Sequence, residues 1–272
     1  MNLPTTEKIR LEARGGFLFA TLSDPAARNA LSDEMVADFE AVCTLLESEA
    51  GRERFRALVL SGDEKAFCAG AQLKNLEESL RAPEPGQDDP IAQGNRRFGE
   101  FQLRFSRIPQ VVVAVVQGAA FGGGLGLVCN TDIAIGYRSA RFALSETGLG
   151  LPPAQIAPFV VKRIGLTHTR MLALSGQRFD GARAHQLGIL HYLVQDGGEA
   201  EAVLNQVLTD IGRCAPGANA ATKELLFRVA GELSDEVLDR AATAFAAAVR
   251  GEGREGIAAF LEKRPAAWVE EP

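Results

Sequence analysis

The sequence predicts an α/β fold: a strand-and-helix first part followed by a helical C-terminal region. Short apolar runs ended by turn residues, FRALVLSG (55–62) and VVVAVVQG (111–118), read as buried strands. Helical patterns lie between them, and from Pro158 onward helical patterns dominate. On this reading a core spans 1–198 and a helical region spans 199–272. A chain of 272 residues that is 46% hydrophobic and 24% charged has the material for a large core.

Each element follows from local pattern. IRLEA (9–13) alternates apolar and polar, and FLFATL (17–22) follows, so the two form a hairpin turned by Gly15 and Gly16. Ser32 is placed to cap a helix whose first turn holds Asp33 and Glu34 and whose apolar face is Met35, Phe39, Val42 and Leu46. AFCAGAQLKNLEESL passes from a small-residue loop into a helix, and RAPEPGQDDP (81–90) reads as a mobile loop. A helix over 91–107 stops before Pro109. Its Phe98, Phe101 and Phe105 form a stripe that faces either the core or a pocket. DIAIGY (132–137) and ARFALSE (140–146) are strand-like; PFVVKRIGLTHTRMLAL, DGARAHQLGI and the segments from about 199 to 263 are helical.

Charge and composition exclude several functions. A formal net charge of −6 argues against a nucleic-acid or anionic-membrane partner. No apolar run approaches the roughly 20 residues that cross a bilayer, and MNLPTTEKIR lacks the apolar centre of a signal peptide. A soluble cytoplasmic protein is expected. Cys43, Cys68, Cys129 and Cys214 are widely spaced, which suits reduced thiols. His168, His185 and His191 have no carboxylate or cysteine at ligand spacing, so no metal site is expected.

Two small-residue loops follow successive buried strands: FCAGAQL and GAAFGGGLG. Each glycine inside a helix costs about 1 kcal/mol relative to alanine, so the run Gly122-Gly123-Gly124 with Gly126 requires a reason. Either the glycines let a helix and a strand pack closely, or they let a ligand approach the backbone. In the second case two N–H groups could converge on one oxygen as an oxyanion hole, suited to a carbonyl that becomes an enolate. A dinucleotide fingerprint fails on spacing: counted from Gly122 the sixth position is Leu127, and from Gly124 it is Cys129.

In this order AAFGGGLGLVCNTDIAI, FCAGAQL, RNALSDEM and ARFALSETGLGLPP resemble the crotonase superfamily of enoyl-CoA hydratases and isomerases, along nearly the whole chain. The resemblance implies a crotonase-like spiral of ββα units and a C-terminal helical region that builds a homotrimer, often paired into a hexamer. It implies a substrate carried as a CoA thioester, with no separate cofactor. By position, the amides of Ala71 and Gly123 match the two donors to the thioester oxygen, and Glu146 matches one catalytic glutamate. Arg28 and Ala30, with Ala69, Gln72 and Leu73, match the cradle of the CoA. Phe260 and Lys263 match a C-terminal pair that reaches its adenine and phosphates. Gly126 stands where hydratases of the two-carboxylate type carry a second glutamate.

The stretch SETGLGLPPAQIAPFVVKRIG is similar to hydratases of branched glutaconyl-CoA thioesters, 3-methylglutaconyl-CoA in leucine breakdown and isohexenylglutaconyl-CoA in acyclic terpene breakdown. The expected activity is hydration of such a 2,3-double bond with one glutamate as acid and base. Arg97, Arg104 and Arg163 are candidates to meet a substrate carboxylate. The rivals are an isomerase or decarboxylase of the same superfamily, and a non-catalytic acyl-CoA-binding protein.

Overall fold

The computed structural model describes residues 2–63, 65–72, 89–230, 255, 258–259 and 262–269. The chain opens with the expected hairpin, β1 (Ile9–Arg14) and β2 (Phe17–Leu22), paired antiparallel with Ile9 opposite Leu22. Helices α1 (Asp33–Glu47) and α2 (Glu49–Arg54) lead to β3 (Ala57–Ser61) and a three-residue β4 (Ala66–Cys68). After α3 (Pro90–Ser106) come β5 (Val111–Val116), β6 (Ala119–Phe121), the short α4 (Gly123–Cys129), β7 (Ile133–Tyr137) and β8 (Arg141–Ala143). Then follow α5 (Ala157–Ser175), β9 (Arg178–Asp180), α6 (Gly181–Gln186), β10 (Tyr192–Val194), α7 (Gly197–Gly212) and α8 (Pro216–Val229).

Two sheets result. The larger runs β1-β2-β3-β5-β7-β10, parallel beyond the hairpin; the smaller runs β4-β6-β8-β9, parallel except for β9. Both faces of the larger sheet are covered, which is why its strands read as continuous apolar runs. Along β5, Val112, Ala114 and Val116 enter the main core, whereas Val113 and Val115 face the opposite way, where Val207, Leu208 and Ile211 of α7 lie. On the main-core side Phe39 of α1 meets Phe101 and Phe105 of α3, with ring centroids 5.3 and 5.5 Å away.

Several local expectations hold and several change. Ser32 Oγ caps α1 by accepting from Met35 N at 3.2 Å, and Met35, Phe39, Val42 and Leu46 are buried as the pattern requires. FCAGAQL begins not as a loop but as β4, and ARFALSE keeps strand geometry only to Ala143, after which a 3-10 turn covers Glu146–Leu149. The C-terminal half is not all helix, because RFD and YLV add a strand to each sheet. The helix expected after Gln72 and most of the 81–90 loop lie outside the described residues. No helix among the described residues is long and apolar enough to cross a membrane.

The N-terminal arm is held by one carboxylate. Oδ2 of the buried Asp38 accepts from the amides of Glu7, Lys8 and Ile9 at 2.9, 2.6 and 3.1 Å. Replacing Asp38 by Ala removes a charged acceptor from three donors and is expected to lower stability by about 2–3 kcal/mol in urea unfolding.

Candidate active site

The small sheet delivers the site. Its strands β4, β6 and β8 lie side by side and parallel, so the residues just past their C-terminal ends meet at one edge. Past β4 come Gly70 and Ala71, past β6 come Gly122 and Gly123, and past β8 comes Glu146. This is the edge at which open α/β sheets bind ligands.

The glycine run resolves into separate duties. A Cβ on Gly124 would stand 2.2 Å from the carbonyl oxygen of Cys68, so only glycine lets α4 rest on the end of β4. A Cβ on Gly70, at φ +92, would stand 2.7 Å from the carbonyl oxygen of Phe121 and 3.4 Å from the Gly123 nitrogen. The Ala71 nitrogen lies 3.8 Å from the Cβ position of Gly123. Both amides therefore sit at one crossing of two backbones. Neither finds an acceptor among the described residues: Gly123 opens α4, and Ala71 meets Leu31 in an isolated bridge whose hydrogen bond runs from Leu31 N to Gly70 O at 2.8 Å. Close packing of helix on strand accounts for Gly124.

Gly122 makes room for the acid. The pairing of β6 with β8, extended by a hydrogen bond from Gly122 N to Ala143 O at 2.9 Å, sets Glu146 against it. Oε1 of Glu146 lies 2.6 Å from where a Cβ on Gly122 would stand, while Oε2 is buried without a hydrogen-bond partner. Burial pushes the Glu146 carboxyl above its ordinary value, and the neighbouring amides of Glu146 and Ser145 pull it partly back. Three thiols and one imidazole are shifted away from reactive protonation states. Burial pushes the thiols of Cys43, Cys68 and Cys129 up to about 12, and His191, lowered to about 4 by burial and Arg163, accepts from Ala134 N at 2.9 Å. No group of three His, Cys, Asp or Glu among the described residues could hold a metal ion.

The loop of Arg28 and Ala30 is stitched to the loop of Ala69 and Gln72. Ala69 N donates to Arg28 O at 3.1 Å, and Asn29 Nδ2 donates to Ala66 O at 2.9 Å, with Arg28 and Asn29 at φ 53 and 56. Arg28 is exposed and Ala30 buried. Lys263 is exposed, and no hydrogen bond or ion pair ties it to these loops among the described residues. Leu73 and Phe260 lie outside the described residues.

Beside Ala71 opens a cavity of about 620 Å³ bounded by Leu31, Val36, Ile91, Phe98 and Phe101. The phenylalanine stripe therefore splits: Phe101 and Phe105 belong to the core, whereas Phe98 is half-buried, with Cζ 3.2 Å from the Cβ position of Gly123. Of the three arginines, Arg104 is held by Glu40 and Glu47, and Arg163 donates to Thr131 O and Ile189 O at 2.9 Å each. Arg97 alone of them borders this cavity. Sequence reasoning passed over Gln102, which is fully buried against Gly126. The available signal was its spacing, four residues after Phe98 and three before Phe105, a polar residue on an apolar face.

The parallel strand ends of the small sheet thus present two amides free among the described residues and a half-buried carboxylate. The family model described as enoyl-CoA hydratase/isomerase matches residues 12–271. A crystal structure of an enoyl-CoA hydratase/isomerase from Marinobacter aquaeolei superposes with TM-score 0.91 at 43% identity, covering 97% of this chain and 99% of that one. AtuE from Pseudomonas aeruginosa gives 0.90 at 43% identity, covering 97% and 100%. A putative enoyl-CoA hydratase from Thermus thermophilus is 33% identical over 257 residues, 93% of this chain and 97% of that protein. The chain belongs to the enoyl-CoA hydratase/isomerase family and has the crotonase fold.

Two outcomes follow. Gly124→Ala forces α4 off the Cys68 carbonyl, so it is expected to cost about 1–3 kcal/mol and to weaken CoA-thioester binding in calorimetric titration. For Glu146, whose folded-state pKa is raised, the associated stability is present below the unfolded pKa and is lost as pH rises through the folded one. Glu146→Gln is therefore expected to be more heat-stable than the parent at pH 8, with the difference shrinking toward pH 4 in a thermal melt series.

Proposed function

We propose that the chain hydrates the 2,3-double bond of a branched glutaconyl-CoA thioester, 3-methylglutaconyl-CoA or isohexenylglutaconyl-CoA. The observation that carries the reading is a half-buried carboxylate with an unpartnered oxygen beside two free, convergent amides. The amides of Ala71 and Gly123 take the thioester oxygen and draw electron density from the double bond, which makes the β-carbon electrophilic. Glu146 accepts a proton from a water as its oxygen joins the β-carbon, and the electron pair of the double bond moves into an enolate on the thioester. Protonation of the α-carbon by the same carboxyl completes the addition of one water. Because burial raises the Glu146 pKa, its carboxyl is suited both to take and to return the proton.

Arg28, Ala30, Ala69, Gln72 and Leu73 are proposed to cradle the CoA, with Phe260 and Lys263 at its nucleotide end. The glutaconyl preference draws on the resemblance noted above and on Arg97, a cation bordering the cavity beside Ala71 together with the acids Asp33, Glu40 and Glu100. A homotrimer or dimer of trimers is part of the same reading. Leu166 and Leu174 on α5, and Leu149 beside Glu146, are 62%, 73% and 62% exposed in a single chain, a surface suited to subunit contact.

Incubation with 3-methylglutaconyl-CoA followed by mass spectrometry is expected to show the added mass of one water. Loss of carbon dioxide, or an unchanged mass with a migrated double bond, would instead identify a decarboxylase or an isomerase; binding without any turnover would identify an acyl-CoA carrier. Glu146→Gln is expected to lower kcat about 10²–10⁴-fold, the usual weight of a general acid–base group, with thioester affinity retained.

A further inference from the structure

Gln102, in the fourth turn of α3, has no exposed surface. Its Oε1 accepts a hydrogen bond from Asn130 Nδ2, and its Nε2 is buried with no partner among the described residues. That nitrogen lies 3.3 Å from where a Cβ on Gly126 would stand, and Ile156 Cγ2 bounds the same position at 3.1 Å. A buried N–H without an acceptor is rare in folded proteins and calls for a reason.

The second orphan of the site is one helical turn away. Gly126 N donates to Gly122 O at 3.0 Å, so the two glycines are successive rungs at the start of α4. Above Gly122 stands the Glu146 carboxylate with its unpartnered Oε2, and above Gly126 stands the Gln102 amide with its unpartnered Nε2. Among the described residues one acceptor and one donor are thus left unpartnered over neighbouring glycines of α4, the two functions that a water or a hydroxyl complements.

We propose that Gln102 is a second polar group of the reaction centre, and that its Nε2–H holds the oxygen that joins the β-carbon of the substrate. The inference rests on the hydratase reading above and deepens it. With glycine at 126, no side chain stands between the Gln102 amide and the backbone of α4. A neutral amide orients that oxygen but moves no proton, so Glu146 performs both transfers: one proton leaves the water as the C–O bond forms, and the same proton goes to the α-carbon as the enolate collapses. A carboxylate in place of the amide would put like charges side by side and drive one of them to protonate.

The test is a binding ratio. The wild type, Gln102→Met and Gly126→Ala are titrated with acetoacetyl-CoA, which carries an oxygen on its β-carbon, and with butyryl-CoA, which does not. Gln102→Met keeps the side-chain length and removes the donor. Gly126→Ala keeps Gln102 and its bond to Asn130 and interposes a methyl group. Both variants are expected to lose about tenfold in affinity for acetoacetyl-CoA, the weight of one buried hydrogen bond, with butyryl-CoA unchanged. Equal losses for the two thioesters, no loss for either, or no binding of either by the wild type overturns the proposal; a merely structural glutamine lowers the melting temperature without moving the ratio. The ratio is read without turnover. A wild type that fails to hydrate any enoyl thioester sinks the hydratase reading while the ratio still decides whether Gln102 recognises a β-oxygen.

Discussion

The close contact between the backbone of α4 at Gly124 and the carbonyl of Cys68 governs the rest of the site. It is a van der Waals constraint rather than a bond: a methyl group at 124 would fall 2.2 Å from that oxygen. Because it brings the end of β4 against the start of α4, the amides that follow each strand share one small volume. The parallel pairing of β6 with β8 then adds the third member, Glu146, by the same logic of adjacent strand ends. No side chain needs to reach far, since the ladder itself does the positioning.

Such a site lowers stability where it stands. Two amides, one carboxylate oxygen and one side-chain amide have no protein partner among the described residues, and each of these that is buried costs about 1–3 kcal/mol. The compensation lies elsewhere in the fold. The larger sheet is covered on both faces, α1 and α3 lock through Phe39, Phe101 and Phe105, and Arg104 ties α3 to Glu40 and Glu47 on α1. The same helix α3 thus has one face fixed in the core while Phe98 and Gln102 look toward the glycines of α4. A rigid α3 is what allows a polar group with an unpaired donor to hold its place.

Long elements were legible in the sequence because their periods repeat. The hairpin, α1, β3, β5 and β7 carry enough alternating or helical positions to declare themselves. Of the strands that build the site, β8 shows within ARFALSE, but β4 and β6 do not: they have three residues each and are rich in alanine and phenylalanine, too short for any period to register. Their presence follows from partners distant in the chain, which local pattern does not contain. The glycines were legible as an anomaly, and Ala71, Gly123 and Glu146 as positions matched to a family, yet their convergence depended on the two strands that local pattern hid. Gln102 was hidden for another reason. Its burial is set by Ile156 and Gly126, residues on other elements, and only its place among the phenylalanines of α3 hinted at it.

The lone carboxylate has a geometric consequence for the proposed reaction. An enoyl thioester conjugated to its carbonyl is planar, and an oxygen held by the Ala71 and Gly123 amides fixes that plane. Glu146, anchored by the end of β8 over Gly122, approaches from one side, and the other polar side-chain group facing a glycine of α4 among the described residues is the Gln102 amide, which cannot give up a proton at neutral pH. With one group both deprotonating the water and protonating the carbon, oxygen and hydrogen are delivered from the same side of the plane. A two-acid site can divide those tasks between partners; in the proposed reaction, with glycine at 126, Glu146 carries both.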